Sequence, residues 1–89
     1  MTYKEYTVCL TDDLKQIRLY KPEDILTIEE YEEYHILADN NEKLKAILYM
    51  INKCVAYKED INIIKSLKQK DLDNIIKQWT NSINGETND

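Results

Sequence analysis

The side chains with reactive chemistry in this chain are His35, Cys9 and Cys54, Ser66 and Ser82, and a surplus of carboxylates. His35 has Glu32 three residues before it and Asp39 four after, a helical spacing at which a carboxylate can orient the ring or raise its basicity. A lone histidine rarely acts without a partner nucleophile or metal, so His35 reads as a partly buried helix residue. A metal site built from Cys9, Cys54 and His35 would draw on three distant segments and still lack a fourth soft ligand. The two cysteines form no CxxC pair and no signal peptide accompanies them, which predicts two reduced, packed thiols. With a single Gly, near the C-terminus, no glycine-rich phosphate loop can form, and no H-E-x-x-H motif occurs. The expectation is a non-enzymatic protein with no catalytic, cofactor-binding or metal-binding residue.

The remaining chemistry is that of recognition. Twelve basic against seventeen acidic residues give a net charge of −5, which disfavours direct binding to a nucleic-acid backbone. Glu29, Glu30, Glu32 and Glu33, with Glu23 and Asp24 before them, form a dense acidic patch. It reads as a solvated face that also complements a helix N-terminus, or as an acidic surface competing for a basic, nucleic-acid-binding groove. Tyr31, Tyr34, Tyr49 and Tyr57 all fall on predicted helices beside Leu, Ile and Met, and a core this small cannot bury them all. Some roof the core with their hydroxyls in water, or some form a partner-binding patch. The residues we assign to such a patch are Tyr31, Tyr34, Tyr49 and Met50.

The elements that must position these residues follow from periodicity. A chain of 89 residues makes one domain, here 1–85, with 86–89 expected to fray. Tyr6, Val8 and Leu10 alternate with polar residues, Thr11-Asp12-Asp13 breaks the run, and Ile17 and Leu19 alternate again. This predicts a β-hairpin over about 5–20, closed by a loop of four or five residues built on a type I turn. Pro22 suits a turn or first helical position, and Thr27-Ile28-Glu29-Glu30 reads as a capping box. Ile28, Tyr31, His35 and Ala38, widened by Tyr34 and Leu37, then mark the apolar stripe of an amphipathic helix to about Asp39, where Asn40-Asn41 interrupts it and either residue can cap the next helix. Leu44, Ile47, Leu48, Ile51 and Val55 predict a central, buried helix from Glu42 to about Tyr57. Asp60 is placed to cap a short helix holding Ile61, Ile64 and Leu67. A last helix from about Asp71 to Ile83 puts Leu72, Ile75, Ile76 and Trp79 on one face, with Asn84-Gly85 as a left-handed stop. The fold class is α+β, an N-terminal β-hairpin followed by three to four packed α-helices spanning about 25–84. No apolar run reaches the roughly 18–20 residues a spanning helix needs, which predicts a soluble, intracellular protein.

The order of these segments resembles a known family. YTVCLTDDLKQIRLYKPEDI, then a helix, then LKAILYMINKCVA, then INIIKSLKQKDLDNIIKQWTNSI is similar to the small tail assembly chaperones of long-tailed bacteriophages. In that family a strand, a short acidic turn and a second strand lead into a Pro-containing step. An apolar helix, a short element ending in Leu and a helix of "DLxxIxxxW/F" type come next. Here Pro22, the Leu44–Ala56 stretch, Leu67 and Asp71-Leu72…Ile75…Trp79 take those places, and the likeness spans about residues 6 to 83. The resemblance implies a cytoplasmic protein of an infected or lysogenic bacterial host that binds helical segments of the tape measure protein, or another tail protein, and is then displaced. From the missing motifs and the lack of a long apolar run, no cofactor and no membrane partner are expected, and a homo-oligomer stays open. The alternatives are a phage-encoded acidic inhibitor of a host defence or nucleic-acid-binding protein, and a small structural virion protein.

Overall fold

A computed structural model describes residues 3–10 and 15–87. Strands β1 (Glu5–Cys9) and β2 (Gln16–Tyr20) pair antiparallel, with Tyr6 opposite Leu19 and Val8 opposite Ile17. This register puts Tyr6, Val8, Ile17 and Leu19 on one face, and with Leu10 they are all buried, as the alternation predicts. The turn expected at Thr11-Asp12-Asp13 lies outside the described residues.

Among the described residues five helices come after the hairpin: α1 (Pro22–Ile25), α2 (Ile28–Asp39), α3 (Lys43–Cys54), α4 (Asp60–Lys65) and α5 (Gln69–Thr87). The count exceeds the three to four expected because the Pro22 step closes into a single helical turn, with Pro at its start and Leu26 N–H donating to Pro22 O at 2.8 Å. Thr27 and Glu30 form the predicted capping box at the head of α2, at 3.2 and 2.9 Å.

A two-stranded hairpin is marginal on its own, and the helices supply its partner. Its apolar face packs on Ile47, Ile51 and Cys54 of α3, Ile64 of α4, and Leu72, Ile75 and Trp79 of α5 in one core. Both sheet edges are engaged by the helical part. Ala56 N–H donates to Arg18 O at 2.9 Å on the β2 side, and the Gln78 amide donates to Cys9 O at 2.8 Å and accepts from Cys9 N–H at 3.2 Å on the β1 side.

Several local expectations are corrected. α3 ends at Cys54, so Tyr57 lies in the connection to α4 rather than on a helix. Asn41, at φ 64°, stops α2 in the left-handed region, and neither asparagine caps α3, whose N-cap is Glu42. The last helix starts before Asp71 and runs through Asn84-Gly85 to Thr87, with no glycine at positive φ. Residues 86 and 87 therefore belong to α5, and 88–89 lie outside the described residues. No helix among the described residues is long and apolar enough to cross a membrane.

Candidate protein-interaction surface

Part of the stripe that the sequence periodicity assigns to the core, Ile28, Tyr31 and His35, is turned outward by α2, while its Tyr34, Leu37 and Ala38 are half-buried. Ile28 is 81% exposed, Tyr31 45% and Ile36 53%, and α2 contains no fully buried residue. Glu30, Tyr34, Leu37 and Ala38 are the half-buried positions, on the side that packs against α3. Glu30 faces inward because it is fixed twice, by the cap to Thr27 and by an ion pair with Lys53 Nζ of α3 at 3.0 Å. Both contacts, the Thr27 backbone hydrogen bond foremost, hold the Glu30 carboxyl below its ordinary value.

His35 is exposed rather than partly buried, and its neighbours are rings. Its centroid lies 4.8 Å from Tyr31 and 5.4 Å from Tyr34, in edge-on arrangements, and the two tyrosines are 6.2 Å apart. Of the four residues assigned to a partner patch, the structure thus brings Tyr31 and Tyr34 together. Tyr49 and Met50 sit on α3, both half-buried. Met50 packs against the core, the Tyr49 ring has Lys53 Nζ 5.6 Å from its centroid, and no ring contact joins Tyr49 to the α2 tyrosines among the described residues. Lys53 lies near the Tyr49 ring and pairs with Glu30, which joins α3 to α2.

Beside Tyr31 the surface is indented. Pro22, Leu26, Ile28 and Tyr31 wall an apolar recess of about 330 Å³ that Glu23 and Glu32 also line. A second recess, of about 240 Å³, shares Pro22, Glu23 and Tyr31 with the first and extends to Lys21 and to Ile83 of α5. Lys21 Nζ is held by Glu23 at 2.6 Å. Sequence reasoning missed these recesses because the stripe that begins at Ile28 reads as core.

The groups with reactive chemistry do not converge. Cys54 is fully buried, and burial pushes its thiol up to about 12. Cys9, expected to be packed, is exposed on β1 with its Sγ 3.8 Å from Gln16 Nε2. Among the described residues no group of three His, Cys, Asp or Glu side chains is placed to hold a metal ion. A polar network, also missed, joins Arg18 to Asp60, with the guanidinium 3.8 Å from the Tyr57 ring centroid and Tyr57 Oη donating to Glu5 Oε2 at 2.7 Å. It ties the hairpin to the α3–α4 connection, a structural role.

Comparison with protein-family models, with curated proteins and with solved structures finds no match for this chain.

Proposed function

We propose that the protein is a non-enzymatic interaction module of phage morphogenesis, a tail assembly chaperone that binds helical segments of the tape measure protein in the host cytoplasm. The observation that supports this reading is the outward apolar face of α2, Ile28, Tyr31 and Ile36, on a domain whose core is already complete without it. Tyrosine supplies large contact area at small entropic cost, and a helix laid on an apolar face is a common binding mode. Tyr31 is the primary contact residue in this reading, with Tyr34 half-buried beside it and Tyr49 and Met50 at its margin.

The test is an affinity pull-down of the tagged protein from cells producing the whole phage gene cluster, followed by mass spectrometry. Recovery of a long helical tail protein from unfinished assemblies, with the bait absent from finished particles, is the expected result. Bait retained in purified particles would replace the chaperone with a structural virion protein. The concentration of carboxylates on α1 and α2 favours a second reading, an acidic inhibitor of a host nucleic-acid-binding protein, which recovery of a host nuclease or polymerase would establish instead.

A further inference from the structure

We infer that the two recesses sharing Tyr31 are the seat of a basic amphipathic helix, whose apolar side chains one turn apart fill them while its Lys and Arg residues face the carboxylates of α1 and α2. The inference rests on the reading that the chain binds a protein partner, and it names the chemistry of that partner.

Size argues for side chains as the occupants. At about 330 and 240 Å³ the recesses fall at or below the lower end of small-molecule sites, about 300–1,000 Å³. Because they share Pro22, Glu23 and Tyr31, they are immediate neighbours. Residues at i and i+4 of a helix, with Cβ atoms about 5–6 Å apart, present two neighbouring anchors on one face, as adjoining recesses require.

Charge argues for a basic helix. Residues 22–39 contain seven carboxylates and neither Lys nor Arg, whereas the rest of the chain is net positive. Glu23 and Glu32 line the larger recess itself, and Glu29 and Glu33 stand exposed on the same helix as Glu32. Lys21, the cation that lines the smaller recess, is engaged by Glu23. An acidic helix would meet like charge here, and a second copy of this chain docked about a two-fold axis would oppose its own carboxylates to these.

The test uses the full chain and synthetic helix-forming peptides carrying Leu at i, i+4 and i+7, with either Lys or Glu at the remaining positions. Calorimetry and amide chemical-shift mapping should show the Lys peptide binding across α1 and α2, with affinity falling about tenfold between low and high salt. Ile28→Ser, at a residue 81% exposed, should weaken binding about tenfold without altering the fold, and Glu32→Lys should weaken it at low salt. Equal binding of the Glu peptide, shifts confined to another face, or self-association abolished by Ile28→Ser would each overturn the inference. Binding of the Lys peptide without capture of a tape measure protein would overturn only the chaperone reading. Capture of that protein undiminished by Ile28→Ser and Glu32→Lys would overturn only the basic-helix inference.

Discussion

Arg18 and Asp60, 42 residues apart, are joined by three hydrogen bonds: the Arg18 backbone N–H and Nε donate to Asp60 Oδ2 at 3.0 and 3.3 Å, and Nη2 donates to Oδ1 at 3.3 Å. Asp60 is 3% exposed, so its carboxylate has exchanged water for these donors and stands at the first residue of α4. The Arg18 side chain remains about one-third exposed, which moderates the cost of losing its partner. Asp60→Ala should lower stability by about 2 kcal/mol, read as a fall in urea midpoint at constant slope. A variant as stable as the parent would show that the network adds nothing to the docking of α4 on β2.

Glu30 gives the fold a defined acid response. Folding lowers its pKa, so the unfolded chain binds the proton more readily. The stabilisation is present above the ordinary value of 4.5 and is lost as pH falls through the lower folded value. Glu30→Gln should flatten the decline of the thermal midpoint in that acid range. An equally steep decline in the variant would assign the acid sensitivity to other carboxylates.

The two thiols should separate cleanly. Native protein treated with an alkylating reagent is expected to gain one adduct, at Cys9, and a second at Cys54 only in denaturant, as read by intact mass. Burial pushes the Cys54 thiol up from its ordinary value of 9.0 to about 12, so its contribution to stability declines as pH rises between those values.

Gly85 lies inside α5, its φ is not positive, and beyond its chain neighbours and its own helix backbone a methyl group added at its Cα would meet no atom within 4 Å. Gly85→Ala should therefore stabilise the protein, by about 0.5 kcal/mol, through helix propensity. Thermal unfolding that shows a loss instead would restore the left-handed stop expected from Asn84-Gly85.

Ile28 and Ile51 should behave as opposites. Ile28→Ser is expected to stay within about 0.5 kcal/mol of the parent, because the side chain already faces water. Ile51→Ala, at a fully buried position of α3, should cost about 2–5 kcal/mol. Chemical denaturation of both variants checks the pair, and a large loss at Ile28 would return it to the core.

Features that depend on near neighbours were legible in the order of residues alone. Alternation at Tyr6, Val8, Leu10, Ile17 and Leu19 specifies a hairpin with one buried face, because the strand period assigns each residue a side. Thr27 and Glu30 announce a cap because both partners lie within one turn. Which face of α2 packs was settled by contacts from elsewhere in the fold. Ile28, Tyr31, Tyr34, His35, Leu37 and Ala38 all belong to the stripe that the spacing predicts, yet only Tyr34, Leu37 and Ala38 are half-buried on the side set against α3, where Glu30 also pairs with Lys53. Distant contacts also set the role of Asp60, whose donors arrive from β2, whereas at Gly85 α5 continues where a stop was expected. Local periodicity records which residues share a face, while long-range packing selects which face meets water, and the candidate binding surface of this protein follows from that selection.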